Sequence, residues 1–548
     1  MYARSGAKAI PAPIAGALPR AAWLDHKALV LLSCSLACGG TIGIGAALPG
    51  AWPLSALALS AWAWLVVLGT RRHPGLGGLV TCAGWLAWHV AGQGWVTAAV
   101  RDGEHALAWR AAVLAILLVF QLLPLLLAWT LLSPLTRTQR RGEGAIVLRW
   151  GLAVACAESL RQLGWWGSGY AHLGVVFVDV PAAGAWVPAI GGAGLGMLVL
   201  AVAGLWALAA WRLAAQGPRG ARFPGALALA GVLAMVLWPS APTPADATQG
   251  APLTVTAVQP PAERGRHWTR AALDEALQQL ETAIRTAPQA SIVVTAETFF
   301  PEPPPREPAG TRWGDLVGLA KQRGVHLLVG MPHLLRDAEG VHLANAVVQV
   351  SPERRSLYAK ERLVPGGEYL PWPSVLGSLY ARLFERVREG QRSGPPELTA
   401  PLFVGGSTAG VSICHELGFP LIQAARADGA GWLVNLADDG WIDTSLYRRQ
   451  MVSLARLRAQ ETGKPLLRVS QGGPTLLVGP DGRVLAQATG HRQAQNLAVT
   501  VTASASSTPY LQHAQALALL PLVLAAGAVL LAGRRTAATP SGEGPSPP

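Results

Sequence analysis

The feature that most constrains this chain is a series of long apolar runs that a soluble domain could not bury. They lie near 28–47, 52–69, 77–100, 111–133, 144–161, 190–211, 223–239 and 512–533. Each is long enough for a helix that crosses the hydrocarbon core of a bilayer, which takes roughly 17–25 residues. The composition, 51% hydrophobic and only 14% charged, also differs from that of soluble proteins. We therefore expect a multi-pass α-helical membrane domain with about eight transmembrane helices, seven of them within 28–239 and the last at 512–533.

The arginines between these runs indicate an orientation. If the N-terminal segment 1–27 is cytoplasmic, the opposite side carries little positive charge beyond Arg101 and Arg110. The cytoplasmic loops and tail then carry Arg71, Arg72, Arg137, Arg140, Arg141, Arg212, Arg219, Arg222, Arg534 and Arg535. This bias follows the positive-inside rule, so the net charge of +13 is explained by topology, and we expect no nucleic-acid partner. The residues between the seventh and eighth spans then lie outside the cytoplasm.

Three further segments differ in composition from the spans. GWWGSGYAHLGVVFVDVPAAGAW, 164–186, is aromatic and Gly-rich, and we expect an interfacial or re-entrant loop. PSAPTPADATQGAP, 239–252, has the composition of a linker and predicts a domain boundary. The tail 534–548 is rich in Pro, Gly and Ser, and we expect it to be disordered.

Residues 250–505 have the composition of a globular domain. Short β-rich runs alternate there with three helical patterns, at 268–286, 312–323 and 444–461. The β-rich runs are LTVTAVQ, SIVVTAE, HLLVGMP, AVVQVSP, GVSICHE and WLVNLA. This alternation predicts an α/β domain with layered sheets and covering helices.

Three residues at predicted strand ends carry chemistry. SIVVTAE ends on Glu297, RSLYAKERLVPGGEYLP carries Lys360, and GVSIC ends on Cys414. A thiol needs a base to become a nucleophile, and an acyl-transfer transition state needs a positive group near its oxyanion. Each residue alone has a structural explanation, as a surface charge or a core cysteine. Together they predict a thiol enzyme, with Cys414 as the one cysteine that water and substrate reach, because the other four lie in apolar stretches.

Four stretches resemble motifs of a known family. They are AESLRQLGWWGSGY at 157–170, KERLVPGGEYLPW at 360–372, SICHELGFP at 412–420 and NLADDGWIDTS at 435–445. The Glu-Lys-Cys set is similar to that of the nitrilase, or carbon-nitrogen hydrolase, superfamily, and with these motifs nearly the whole chain resembles the apolipoprotein N-acyltransferase family. The resemblance implies an αββα sandwich for 250–505, on the periplasmic side of the bacterial inner membrane.

The resemblance also implies a reaction. Glu297 is expected to act as general base, Cys414 as nucleophile and Lys360 as the cation that stabilises the oxyanion. Residues that support the pocket or bind substrate are expected at Glu368, Tyr369, His415, Glu416 and Trp441. The implied acyl donor is a membrane phospholipid and the acceptor a diacylated apolipoprotein, with no metal or diffusible cofactor. The oligomeric state stays open and is compatible with a monomer.

The sequence departs from the family pattern around the predicted pocket. Thr295 and Ala296 precede Glu297 where the family has W-P-E or W-S-E, Gly366 replaces a phenylalanine, and His415 replaces a tyrosine. Two alternatives therefore stay open. One is a membrane-bound paralogue that acts on another amide or acyl substrate, such as a conjugal-transfer-associated protein. The other is a transporter or scaffold with a degenerate nitrilase domain. The aromatic residues Trp165, Trp166 and Tyr170 either line a lipid access path or belong to an interfacial belt.

Overall fold

A computed structural model describes most of the chain. The described residues are 25–99, 106–136, 142–163, 168–237, 249–262, 269–305, 310–337, 340–351, 355–365, 367–369, 374 and 391–537. The N-terminal segment 1–24, most of the predicted linker and 538–548 of the predicted tail lie outside these ranges. So do Trp165, Trp166 and Gly366.

Helices form at all eight predicted spans. They are α1 (His26–Gly45), α2 (Trp52–Arg72), α3 (Pro74–Gln93), α4 (Ala106–Leu131), α5 (Glu143–Leu163), α7 (Ala183–Gln216), α8 (Pro218–Leu237) and α13 (Pro509–Ala537), with a short α6 (Leu173–Val176). Within the described residues, six are long and apolar enough to cross a membrane, all but α3 and α5 of the eight long ones. Helix α5 carries Glu143, Arg149, Glu158 and Arg161, which lower its apolar character. Membrane helices are thus confirmed, and a count of eight spans stays a prediction.

The boundaries differ from the sequence prediction at three places. The part of 164–186 from Ala183 onward is helical, and α7 changes direction at Gly191, where φ is 68°. The predicted linker is too long, because Gln249–Pro252 already belong to a strand. The tail is helical as far as Ala537, where disorder was expected from 534.

The globular domain contains two six-stranded sheets. The strands are β1 (Gln249–Gln259), β2 (Ile292–Thr295), β3 (His326–Asp337), β4 (Gly340–Val350), β5 (Arg355–Ala359), β6 (Leu402–Val404), β7 (Ser407–Ile413), β8 (Trp432–Asp438), β9 (Leu466–Gln471), β10 (Leu476–Val478), β11 (Val484–Gln487) and β12 (Gln495–Ser504). Their orders are β12-β1-β2-β3-β4-β5 and β11-β10-β9-β8-β7-β6. The central strands β1, β2 and β3 of the first sheet, and β7, β8 and β9 of the second, are parallel.

Helices cover the outer faces of the two sheets. Apolar side chains of both sheets, such as Val255 and Val434, form one core between them. Helices α9 (Arg270–Thr286) and α10 (Arg312–Arg323) cover the first sheet, and α11 (Pro420–Ala427) and α12 (Ser445–Thr462) cover the second. The predicted α/β sandwich is therefore confirmed as an α-β-β-α stack.

The second helical layer also contacts the membrane helices. Helix α12 packs against α7, and one continuous apolar cluster includes both Leu454 of α12 and Leu195 of α7. Buried charges lie at this junction: Glu461 Oε1 accepts a hydrogen bond from the Gly192 amide at 2.8 Å, and Arg458 pairs with Glu461. The globular domain is thus seated directly on the membrane domain.

Candidate active site

The three predicted catalytic residues lie at the carboxyl ends of strands, where the sandwich brings two sheets together. Glu297 follows β2 by two residues, and Lys360 and Cys414 come directly after β5 and β7. Parallel strands present their carboxyl ends at one edge, which is the usual position of sites in α/β sheets. Lys360 Nζ lies 3.3 Å from Glu297 Oε1, and the Cys414 thiol is within electrostatic range of both. The structure therefore brings all three together.

Lys360 is a fully buried cation between two carboxylates. Its Nζ donates to Glu368 Oε1 at 2.7 Å as well as to Glu297. Burial by itself would lower the pKa of Lys360, but the charges of Glu297 and Glu368 outweigh it, and the pKa lies well above its usual value. The side chain therefore stays protonated at any physiological pH.

Both oxygens of Glu297 are held by donors from other segments. Oε1 accepts from Asn345 Nδ2 at 2.6 Å in addition to Lys360, and Oε2 accepts from the Asp438 amide at 2.7 Å. Glu297 is only 5% exposed. These contacts fix the carboxylate in one orientation toward the cysteine-bearing edge.

Cys414 begins a five-residue 3-10 helix, Cys414–Gly418, which we call the nucleophile turn. Its φ of 53° is rare for a residue with a side chain, and such strain is common at functional sites. The expectation that Cys414 is exposed is wrong, because only 5% of it is accessible. Burial, and then the Glu297 charge, raise the pKa of Cys414 well above its usual value, while Lys360 acts in the opposite direction. The Cys414 side chain is therefore a neutral thiol at rest, and a base must remove its proton before the sulfur can attack.

Glu416 connects the nucleophile turn to the residues after Lys360. Its Oε1 accepts from the amides of Glu361 and Arg362 at 2.8 and 2.9 Å. Its Oε2 accepts from the Ile413 amide at 2.6 Å and from the Tyr358 hydroxyl at 2.8 Å. Burial raises the pKa of Glu416 despite these hydrogen bonds. The side chain thus joins the strand ends that carry Lys360 and Cys414.

His415 is buried beside Cys414 without a hydrogen bond at either ring nitrogen in the described structure. Its ring packs edge-on against Phe419, with centroids 5.5 Å apart. Burial, together with the positive charges of Lys360 and Arg362, lowers the pKa of His415 well below its usual value. The imidazole is therefore neutral.

The remaining predicted residues lie around this cluster. Glu368 Oε2 accepts from the Val364 amide at 2.7 Å, which closes the loop after Lys360. Trp441 is half-buried and donates its indole N–H to the Asp438 carbonyl at 2.7 Å. Tyr369 is half-buried, and its backbone forms an isolated β-bridge with Pro365. Tyr170 packs edge-on against Trp95 at 5.0 Å, and its ring centroid lies 6.4 Å from that of Tyr447 in α12, so its ring lies at the junction between the two domains.

Sequence reasoning missed two parts of the site. Asn345, in the middle of β4, donates to both Glu297 and Glu368 at 2.6 and 3.3 Å. Asp439 accepts from Arg468 at 2.8 Å and from the Tyr447 hydroxyl at 2.6 Å, and its charge acts on Cys414. A buried Asn within the apolar run LANAVVQV was the available signal for the first.

Known proteins similar to this chain share both of its domains. Residues 254–510 match the model of the carbon-nitrogen hydrolase family. The apolipoprotein N-acyltransferase of Nitrosomonas europaea is 29% identical over 495 residues, which cover 88% of this chain and 94% of that protein. That of Chromobacterium violaceum is 28% identical over 507 residues, covering 89% and 92%. This chain belongs to the apolipoprotein N-acyltransferase family. Its apolar helices and these bacterial relatives indicate a bacterial membrane protein.

Among solved structures, the chain is similar to Nit3 of Saccharomyces cerevisiae, a member of branch 10 of the nitrilase superfamily. The likeness has a TM-score of 0.36 at 18% identity, and it covers 46% of this chain and 91% of Nit3.

Proposed function

We propose that this protein transfers an acyl chain from a membrane phospholipid to the N-terminal α-amine of a diacylglyceryl-cysteine in apolipoproteins. The observation that carries the proposal is the buried cluster of Glu297, Lys360 and Cys414 in a domain seated on membrane helices. Relatives named apolipoprotein N-acyltransferase, which match across both domains, support the same activity. The catalytic domain is proposed to lie on the periplasmic side of the inner membrane.

The first half-reaction forms a thioester. Glu297 takes the proton of the Cys414 thiol, and the thiolate attacks an ester carbonyl of the phospholipid. Negative charge develops on the carbonyl oxygen, and the Lys360 ammonium stabilises it together with backbone amides. The C–O bond then breaks, the alkoxide takes the proton held by Glu297, and lysophospholipid leaves.

The second half-reaction consumes the thioester. The neutral α-amine of the diacylglyceryl-cysteine attacks the thioester carbonyl, and Glu297 accepts a proton from the attacking nitrogen. Collapse of the tetrahedral intermediate forms the amide and expels the Cys414 thiolate, which regains a proton. The same base and cation therefore serve both steps.

Complementation tests this function. A bacterial strain depleted of its own apolipoprotein N-acyltransferase is expected to grow and to make triacylated lipoprotein when it expresses the wild type. The Cys414→Ala variant at equal membrane abundance is expected to do neither. Growth of the depleted strain with the Cys414→Ala variant would contradict the proposal.

A second candidate is a paralogous acyltransferase or hydrolase with another amide or acyl substrate. Its support is His415, a neutral buried imidazole beside the thiol at a position where the family has tyrosine. Failure of the wild type to complement, combined with Cys414-dependent turnover of a simple amide or ester by purified protein, would favour this candidate.

A further inference from the structure

The carboxylate of Asp439 is fully buried one residue beyond β8, and side chains from β9 and α12 hold it. Arg468 Nη2 donates to its Oδ2 at 2.8 Å and to its Oδ1 at 3.1 Å. The Tyr447 hydroxyl donates to Oδ1 at 2.6 Å, and the Ser470 hydroxyl donates to Oδ2 at 2.7 Å. Arg468 and Ser470 belong to β9 of the same sheet, whereas Tyr447 lies in the first turn of α12. Tyr447 therefore ties this carboxylate to the helix that contacts the membrane domain.

Asp439 directly follows a backbone amide that holds Glu297. The Asp438 N–H donates to Glu297 Oε2 at 2.7 Å, and the next amide, that of Asp439, donates to the Gln471 carbonyl at 2.7 Å. Asp439 also lies within electrostatic range of the nucleophile. Burial and the Glu297 charge raise the pKa of Cys414 most, and the Asp439 charge acts in the same direction. A displacement of Asp439 would therefore disturb the hydrogen bond to Glu297 close to the reacting sulfur.

The ring of Tyr447 packs against the membrane domain. Trp95, in the 3-10 segment Gly94–Ala99 after α3, contacts it with ring centroids 4.6 Å apart. The Trp95 indole N–H donates to Gln450 Oε1 at 3.1 Å, and Gln450 Nε2 donates to the Gly92 carbonyl at 2.6 Å. Tyr447 and Gln450 are three residues apart and so share one face of α12. The membrane domain thus contacts the face of α12 that carries Tyr447, and the contact is buried.

We propose that Tyr447 is a positioning residue for the catalytic base and that Trp95 of the membrane domain holds it in place. Its hydroxyl fixes Asp439, and Asp439 fixes the end of β8, where the Asp438 amide orients Glu297. A base that is displaced by about 1 Å can lose about a hundredfold in rate, so small movements of this segment affect the chemical step. The inference rests on the proposed function, and it adds a dependence of the base on the membrane domain.

The test measures thioester formation by the full chain in detergent, with p-nitrophenyl hexanoate as the acyl donor. Attack by Cys414 releases p-nitrophenolate in a burst, whose amplitude counts the reactive sites and whose rate constant reports the acylation step. Increasing ester concentrations separate the limiting rate constant from the half-saturating concentration. Cys414→Ala is expected to show no burst, which assigns the signal to this thiol.

Tyr447→Phe keeps the ring against Trp95 and removes the hydroxyl. We expect a full burst amplitude, an unchanged half-saturating concentration and a limiting rate constant that is reduced by about tenfold. Ser470→Ala removes another donor from the same carboxylate, should lower the same rate constant, and repeats the test if Tyr447→Phe does not fold. The matched control is Tyr510→Phe, which removes the hydroxyl of another buried tyrosine at the domain junction and should match the wild type.

Trp95→Phe tests the link to the membrane domain, because it removes the N–H that is donated to Gln450 and reduces the ring contact. We expect a lower limiting rate constant, and a double variant with Tyr447→Phe that loses less than the product of the two single losses.

Three results would contradict these expectations in different ways. Absence of a burst in the wild type would contradict the proposed thiol chemistry, and this inference with it. A wild-type limiting rate constant in Tyr447→Phe, with full or reduced amplitude, would overturn the inference and leave the proposed function intact. Losses in Trp95→Phe and Tyr447→Phe that multiply in the double variant would overturn the role of the membrane domain.

Discussion

Lys360 keeps a full positive charge at a position with no access to water. A buried ion is costly unless opposite charges and hydrogen bonds replace its hydration, and Glu297 and Glu368 do so at 3.3 and 2.7 Å. The same arrangement leaves a carboxylate next to a protonated thiol. A base and its proton donor are therefore adjacent before substrate arrives.

Asn345 is predicted to position the base. Its amide donates to Glu297 and to Glu368, so Asn345→Asp replaces a donor with a third carboxylate. The substitution removes the hydrogen bond to Glu297 Oε1 and places a competing carboxylate beside Lys360, and we expect the rate–pH profile for acyl-enzyme formation to change. At pH 7 the rate should fall by about ten- to a hundredfold.

The matched control is Asn496→Asp, at an exposed position of β12. It should leave the profile unchanged. A profile for Asn345→Asp that coincides with that of the wild type would remove Asn345 from the site.

His415 is predicted to make stability depend on pH. The folded protein keeps the imidazole neutral, since burial lowers its pKa well below 6.5, whereas the unfolded chain binds a proton near pH 6.5. Stability is therefore lost as pH falls below about 6.5, by up to about 1.4 kcal/mol per pH unit, until the folded pKa is reached. His415→Phe cannot bind this proton, and its thermal midpoint in detergent should exceed that of the wild type by a margin that grows between pH 7.5 and 5.5.

His513→Phe, at an exposed histidine, serves as the control for this comparison. A constant difference between His415→Phe and the wild type over the same pH range would show that the imidazole is accessible to protons in the folded state.

The residues of the site were predictable to different degrees. Glu297, Lys360 and Cys414 could be proposed because each follows a β-rich run, and the Lys360 and Cys414 motifs resemble those of a family. Asn345 stands out in the sequence as a polar residue in an apolar run, but its role could not be predicted, because its two carboxylate partners lie 48 residues before it and 23 after it, and only the sheet brings them together. The burial of Cys414 was missed because exposure of a strand end depends on what packs over it.

At the scale of elements, the nucleophile turn and the loop after β5 form one unit through Glu416. Four donors converge on its two oxygens, from Tyr358, Glu361, Arg362 and Ile413. A carboxylate can accept all four, whereas an amide cannot. The strained φ of Cys414 is tolerated because Glu416 ties the Ile413 amide, directly before the turn, to the loop after β5.

Glu416→Gln is predicted to separate these two elements. The glutamine NH₂ faces donors instead of accepting from them, which leaves at least one buried N–H unpaired at a cost of about 1–3 kcal/mol. We expect a lower thermal midpoint and a thioester yield reduced by at least about tenfold. Glu397→Gln, an exposed carboxylate of the same domain, should change neither quantity. If Glu416→Gln forms thioester at the wild-type rate, the turn does not depend on this side chain.

At the scale of the whole molecule, the membrane domain directly contacts the nucleophile turn. Gly169, in the loop after α5, lies against Gly418, and a Cβ at Gly169 would meet the Gly418 carbonyl oxygen at 2.1 Å. Arg161 holds this loop through the Tyr170 carbonyl, and Glu158 holds it through the Leu173 amide at 3.0 Å. The apolar runs predicted the helices. The sequence alone did not show that Glu158 and Arg161 hold the loop after α5 against the nucleophile turn, because this contact depends on how the two domains pack.

Gly169→Ala is predicted to lower the rate at which phospholipid acylates Cys414 more than it lowers the intrinsic reactivity of the thiol. The new methyl group pushes the loop away from the nucleophile turn, since backbone atoms block it. Acylation of Cys414 by phospholipid in nanodiscs should fall by about tenfold, and acylation by a short water-soluble thioester should fall less. Gly151→Ala, where a Cβ meets nothing within 4 Å, is the control and should match the wild type. Equal losses with both donors would contradict a role of this contact in presenting lipid.

The central claim is a thioester on Cys414 that carries an acyl chain from lipid to amine, and mass spectrometry of the purified protein tests it most directly. Incubation with phosphatidylethanolamine should add the mass of one acyl chain to the peptide that contains Cys414, with lysophospholipid released. Addition of a peptide with an N-terminal diacylglyceryl-cysteine should remove this mass and produce the N-acylated peptide. Cys414→Ala and Glu297→Gln should show neither change. An unmodified Cys414 in wild type that still acylates the peptide, or acylation that persists in Cys414→Ala, would contradict the account.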